Sequence, residues 1–303
     1  MIIKSRSESD ELKILRSLNI RTTLKKKEKD AYFSAEKGYE GEVRFDERAD
    51  PLVKNMVFLN DVLLEQQGSE IQIDSLAVAS KTIFHFEVKN FEGDFIIDKG
   101  EWRSPGGIVI KNPLLQVSRA GSMLRQLSEQ SGYNYPVESY LVFVNPEFHL
   151  DNPPAKTPHI VYPTQIARFI KNLQNRPLNA SKSDIRLGEK FLSLHKESSS
   201  YSRLPEYRFE DLRKGIVCPG CLRFYQEFNR KILVCSHCAR KENCERAILR
   251  TIEEFKLLFP NFKVTNQLIY EVCGGLLRKK TIYRALSTNY KKEGYGKHAV
   301  YIE

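Results

Sequence analysis

Apolar residues along this chain shift from the three-to-four-residue rhythm of helices to the alternation of strands and back, and those shifts set out its elements. Leu12, Leu15 and Leu18 recur among charges within residues 8–29, ahead of Lys25-Lys26-Lys27, which predicts a short amphipathic helix with a basic end. A second helix is expected over 31–49, broken or started near Gly38 and Gly41. It should end before Asp50-Pro51, because the residue preceding a proline avoids helical angles. Residues 55–64, 69–79 and 82–91 then read as strands, with an extended stretch at 94–97. A helix is predicted over 114–130, behind the Asn112-Pro113 breaker, and the apolar run 139–144 reads as a buried strand. Residues 159–162 suggest another strand and 164–173 a helix behind Pro163. This succession implies a mixed α/β domain over 36–177, preceded by a helical extension at 1–35.

Residues 178–214, rich in Ser, Lys, Asn and Arg and including Ser198-Ser199-Ser200, read as a linker with one helical segment near 188–195. A small cysteine-bearing domain is expected over 215–244. From 245 to 303 the pattern is helical again: a helix over 245–259 stopped by Pro260, and one capped by Thr265 and running to 273. A Gly274-Gly275 turn, a basic helix over 278–286 and an extended segment at 297–302 complete it.

The 303 residues are 41% hydrophobic and 28% charged, which excludes a disordered or fibrous chain. No uncharged apolar run approaches the roughly 18 residues of a membrane span. The opening residues lack an apolar signal segment, so a cytoplasmic location is expected. Charge is uneven: residues 1–202 hold 28 Lys and Arg against 27 Asp and Glu, whereas 203–303 hold 20 against 11. The last third therefore carries almost the whole excess, and a polyanionic partner is expected. DNA is the first choice, with RNA not excluded. No strongly amphipathic helix with exposed aromatics favours a membrane surface.

The residues with most chemistry are Asp74, Glu87 and Lys89. Glu87 and Lys89 stand two apart on one strand and share a face. If the hairpin turns at Ser80-Lys81, partners sum to 161 and Asp74 falls opposite Glu87, with Cβ atoms about 4.5–5.5 Å apart. Two carboxylates at that distance repel unless a cation lies between them, and Mg²⁺ (or Mn²⁺) suits such a site. Lys89 would then stabilise charge on a scissile phosphate or orient the attacking water. The bland reading is the solvent face of an ordinary hairpin. Against it, Ile71, Ile73, Ile83, Phe84, Phe86 and Val88 are apolar enough to bury most of the hairpin.

Gly38-Tyr39-Glu40-Gly41-Glu42, Gln72-Ile73-Asp74, Phe86-Glu87-Val88-Lys89-Asn90-Phe91, Gly93, Trp102 and Asn112-Pro113-Leu114-Leu115-Gln116 follow one another in an order that resembles the nuclease-related domain, NERD. That family is a branch of the PD-(D/E)xK nucleases. The resemblance covers roughly residues 36–150 and implies a restriction-endonuclease-like core. It gives Asp74 and Glu87 the role of metal-binding acids and Lys89 that of the catalytic lysine. It also implies that Glu42 can complete the metal site and that Gln116 contacts metal or phosphate. Two departures stand out: no Pro precedes Asp74, and Ser75 occupies a position where the family often has His. Trp102 is expected in the core.

Cys218-Pro219-Gly220-Cys221 and Cys235-Ser236-His237-Cys238 are separated by 13 residues, a spacing that closes a four-thiolate Zn²⁺ site and resembles a zinc ribbon. Four sulfurs leave no open position, so the Zn²⁺ is expected to be structural. His237 is not expected to bind it, Cys244 is a reserve ligand, and Cys273 is a core residue. The helix, Gly-Gly turn and basic helix that follow look like a helix-turn-helix with a wing, in which Arg278, Lys279, Lys280 and Arg284 would face nucleic acid. The whole reads as a Mg²⁺-dependent nuclease hydrolysing phosphodiester bonds of DNA, in DNA processing or defence. The alternative is a non-enzymatic DNA-binding or regulatory protein on a nuclease scaffold.

Overall fold

The computed structural model describes residues 1–154, 159–197, 204–229, 231–296 and 299–302. It divides into two compact units, Met1–Glu8 with Ser34–Ser202, and Ser9–Phe33 with Arg203–Glu303. Along the chain, β1 (Ile2–Lys4) precedes α1 (Asp10–Arg21) and α2 (Lys26–Val53). Ser9 caps α1 by accepting the Leu12 N–H. The lysine run does not end α1, as its pattern had suggested, but opens α2, where the Glu28 carboxylate accepts the Lys25 N–H. Both glycines stay inside α2, and Pro51 lies in its last turn, two residues before the helix ends.

Next come β2 (Val57–Gln66), β3 (Ser69–Ala79), β4 (Thr82–Lys89), β5 (Gly93–Asp98), β6 (Glu101–Arg103) and β7 (Val109–Ile110). After them follow α3 (Pro113–Gln130), β8 (Val137–Phe143), β9 (Phe148–Asp151), β10 (Ile160–Val161), α4 (Ile166–Gln174) and α5 (Lys182–Ser193). The first unit is built on a mixed six-stranded sheet of order β1-β2-β3-β4-β8-β10. β2, β3 and β4 are antiparallel, whereas β1, β8 and β10 join in parallel. Both faces are covered, which is why β3 and β4 read as nearly continuous apolar runs. Phe45, Phe84, Phe86 and Ile170 fill the α2/α4 side, and Leu76, Ile83, Leu124, Leu187 and Phe191 the α3/α5 side. A second sheet, β7-β6-β5-β9, packs Trp102, Phe95 and Phe148 against Phe143 of β8. Trp102 is thus a core residue, 1% exposed.

The β3–β4 hairpin turns at Ser80 and Lys81, with φ of 48° and 58°, values of the tight turn that matches strand twist. Its pairs run from Ala79↔Thr82 to Ser75↔Phe86, the register expected from the sequence. α5 begins earlier than the pattern near 188–195 suggested, because Ser181 and Asp184 form a capping box ahead of it. The Ser198-Ser199-Ser200 run lies outside the described residues.

The second unit holds α1 and a three-stranded sheet, β11 (Phe228–Asn229), β12 (Ile232–Val234) and β13 (Lys241–Asn243). Three further helices follow: α6 (Cys244–Leu258), α7 (Asn266–Val272) and α8 (Lys279–Asn289). β14 (Lys291–Glu293) then pairs antiparallel with β15 (Val300–Ile302). Of the extended segment expected at 297–302, Lys297 and His298 lie outside the described residues. Arg21 of α1 is buried and donates to both oxygens of Glu254 on α6 at 2.7 Å. Thr265 caps α7, as expected, and Gly274 and Gly275 both take left-handed φ between α7 and α8.

Candidate functional site

Asp74 occupies a break in the sheet. The β2–β3 ladder runs regularly on both sides but skips the Asp61/Asp74 position, where Asp61 adopts φ 57°. The regular β3–β4 ladder also stops one pair short, at Ser75↔Phe86. There the Val88 N–H donates not to a strand carbonyl but to Asp74 Oδ2, at 2.7 Å. Next to it, Lys89 Nζ contacts Glu87 Oε1 at 2.6 Å. Asp74, Glu87 and Lys89 line one cleft of about 300 Å³ between the hairpin and α3, together with Glu70, Gln72, Gln116, Arg119 and Ala120.

The electrostatics are those of crowded acids. Burial pushes the Asp74 carboxyl well above its ordinary pKa, and the Glu87 and Glu42 charges push it further. Burial alone would lower the Lys89 pKa, but Glu87 and Asp74 outweigh it and leave the ammonium more firmly protonated than usual. Among the described residues, Val88 occupies one Asp74 oxygen and Lys89 one Glu87 oxygen, and the second oxygen of each can take a ligand. Two such acids in a cleft beside a lysine have the donor chemistry a hard divalent cation needs.

Glu42 reaches this region because α2 passes unusually close to the end of β4. A Cβ on Gly41 would lie 2.5 Å from the Cβ of Asn90, whose side-chain amide donates to the Lys37 carbonyl at 2.7 Å. The Glu42 carboxylate does not enter the cleft lining; it is ion-paired with Arg6. Its pKa is raised to about 7 by burial, with Arg6 pulling it back down and Asp61 and Asp46 adding to the rise.

Three residues near the site were not singled out from the sequence. Arg119 sits one turn after Gln116 on the same face of α3 and lines the cleft, a spacing that could have flagged it. Arg6 lies far from the motif in sequence and carried no local signal. His85, two residues before Glu87 on the same face, is fully buried, and among the described residues neither ring nitrogen has a hydrogen-bond partner. Its Nε2 is 3.8 Å from Glu87 Oε2. Burial first, then the Lys89 charge, lowers its pKa to about 3, so the ring is neutral.

The cysteines form a separate site in the second unit. The four sulfurs of Cys218, Cys221, Cys235 and Cys238 lie within 4.8 Å of one another. Sγ separations of 3.6 Å for Cys218–Cys238 and 3.5 Å for Cys221–Cys235 approach the roughly 3.8 Å edge of a ZnS₄ tetrahedron with ~2.3 Å bonds. The two turns are built alike. Leu222 and Ala239, each following the second cysteine, take left-handed φ and donate their N–H groups to the carbonyls of Cys218 and Cys235. N–H groups of Cys238 and His237 lower the Cys235 thiol to about 6, favouring the thiolate a metal requires. Four cysteines so arranged fit a structural Zn²⁺. Cys244 and Cys273 are buried outside the cluster.

Arg278 just before α8, Lys279 and Lys280 in its first turn and Arg284 midway along it are all exposed. Lys279 is partly committed, with its Nζ 2.6 Å from Gln267 Oε1 and over the Tyr270 ring.

Residues 37–144 match the family model of NERD, the nuclease-related domain. The match encloses Glu42, Asp74, Glu87, Lys89 and Gln116, and it leaves out Arg6 and all six cysteines. This match points to a nuclease-related function, and so to nucleic acid as partner. No curated protein matches the chain, and no solved structure does. Among the described residues, no helix is long and apolar enough to cross a membrane.

Proposed function

We propose that this protein is a divalent-metal-dependent endonuclease that hydrolyses phosphodiester bonds of DNA, on a restriction-endonuclease-like core. The observation that carries the reading is the convergence of Asp74, Glu87 and Lys89 on one cleft at an interruption of the sheet. Asp74 and Glu87 would hold Mg²⁺ or Mn²⁺, which supplies Lewis-acid polarisation of a phosphate oxygen and a more acidic bound water. Lys89, firmly protonated, acts as a cation that stabilises charge developing on the phosphate rather than as a base. Gln116 and Arg119, presented from α3, grip the neighbouring phosphate oxygens, the arginine through paired N–H donors.

In the second unit, α7, the Gly-Gly turn, α8 and the β14–β15 hairpin have the order of a winged helix-turn-helix, and we assign it the binding of duplex DNA. Arg278, Lys280 and Arg284 supply phosphate or base contacts there, with Lys291 and Lys292 adding charge from the hairpin. The Zn²⁺ holds this unit together and takes no part in hydrolysis.

Plasmid DNA incubated with the full chain tests the reading. Cleavage should require Mg²⁺ or Mn²⁺, stop with chelator, and fall about 100-fold or more in Lys89→Ala, while DNA binding persists. DNA binding with no metal-dependent cleavage would instead leave a DNA-binding protein on a nuclease scaffold.

A further inference from the structure

Arg6 lies outside the NERD match, yet its guanidinium makes five hydrogen bonds. Its side chain is only 4% exposed. It pairs with Glu42 and places Nε 2.8 Å from Asp46 Oδ2 and Nη2 3.1 Å from Asp46 Oδ1. The same Nη2 donates to the backbone carbonyl of Asp74 at 2.7 Å and to Ser75 Oγ at 3.0 Å. Two residues earlier, Lys4 Nζ donates to the carbonyls of Asn60 and Asp61 at 2.9 and 2.7 Å.

These are the backbone groups exposed where the β2–β3 ladder skips Asp61 and Asp74. A buried carbonyl without a partner costs about 1–3 kcal/mol, so the break needs substitutes, and the segment after β1 supplies them. One guanidinium therefore does two things at the site: it holds the Asp74 backbone, and it engages the Glu42 carboxylate, sharing its charge with Asp46. Consistent with this, the four thiolates are, among the described residues, the group of three or more His, Cys, Asp or Glu whose ligand atoms fall within 4.8 Å. Glu42 does not converge on Asp74 and Glu87 to that degree.

We propose that Arg6 is a built-in cation of the acidic site, so that Asp74 and Glu87 hold a single divalent ion and Glu42 is not a ligand. The proposal rests on the metal-dependent reading above. In it Arg6 is a positioning residue: its fixed charge stands where a second metal ion would otherwise be required to balance Glu42. An arginine suits the role because its planar fork serves two carboxylates and a carbonyl at once and stays charged when buried.

Mn²⁺ titration of the zinc-loaded full chain, followed by electron paramagnetic resonance and calorimetry, tests it without reference to cleavage. The wild type should bind one Mn²⁺. Asp74→Asn should weaken binding about tenfold or more, and Glu42→Gln should change it by less than about threefold. Arg6→Gln frees Glu42, so a second Mn²⁺ should appear, and adding Glu42→Gln should remove it. Two Mn²⁺ in the wild type, or Glu42→Gln weakening binding as much as Asp74→Asn, overturns the proposal. If Arg6→Gln does not fold, the wild-type count and Glu42→Gln alone decide. Mn²⁺ binding indifferent to Asp74 and Glu87 overturns the metal-dependent reading as well, whereas normal Mn²⁺ binding without DNA cleavage sinks that reading alone.

Discussion

His85 separates what packing wants from what this strand carries. It is fully buried opposite Leu76 of β3, where two unpartnered ring nitrogens are destabilising. Replacing it by Leu should raise stability near neutral pH by about 1–3 kcal/mol in urea unfolding; a loss of that size would mean the ring has a partner. The pH dependence has a fixed sign. The folded state holds the His85 pKa near 3, below its ordinary 6.5, so keeping the ring neutral costs nothing above pH 6.5 and progressively more as the pH falls toward 3. Wild type should therefore lose ground to His85→Leu by about 1.4 kcal/mol per pH unit across that window. A constant difference would show that His85 is not held neutral. Individual residues were unevenly legible. Asp74, Glu87 and Lys89 stood out because strand alternation puts them on one face. Arg6 did not, since its contact with Asp74 spans 68 residues and no local pattern encodes it.

At the scale of elements, the hairpin was the most legible part, because two flanking apolar runs and a two-residue turn leave one register that buries both faces. α2 was the least legible: its two glycines and Pro51 read as breaks, but tertiary packing overrides propensity. Gly38 and Gly41 differ in why they are tolerated. Nothing lies within 4 Å of a Cβ on Gly38, whereas one on Gly41 meets Asn90. Gly38→Ala should leave stability unchanged or raise it by about 0.5–1 kcal/mol. Gly41→Ala should cost about 1–3 kcal/mol by forcing α2 away from β4. Equal effects in thermal unfolding would contradict the close approach that brings Glu42 beside the site.

For the whole molecule, the cysteine site and the C-terminal helices share one core. Cys218, Cys235 and Cys244 pack with Leu233, Ile248, Val264, Ile269 and Ile282. The thiolate cluster was plain in the sequence because its ligands come in two close pairs. Its merger with α6, α7 and α8 was not, because those contacts depend on how separate segments fold back. If this unit binds DNA as proposed, its shared core should couple zinc to DNA binding. Removing Zn²⁺ with a strong chelator, or Cys235→Ser, should reduce helical circular dichroism and weaken duplex DNA binding about tenfold or more, while Mn²⁺ binding at Asp74 and Glu87 persists. Unchanged DNA affinity without zinc would separate the two. The most direct measurement of the central claim is single-turnover cleavage of DNA as Mn²⁺ is raised, for wild type beside Asp74→Asn, with DNA affinity recorded in the same samples. The account predicts metal-dependent cleavage that falls about 100-fold or more in the variant at equal DNA affinity; equal cleavage by the two proteins would contradict it.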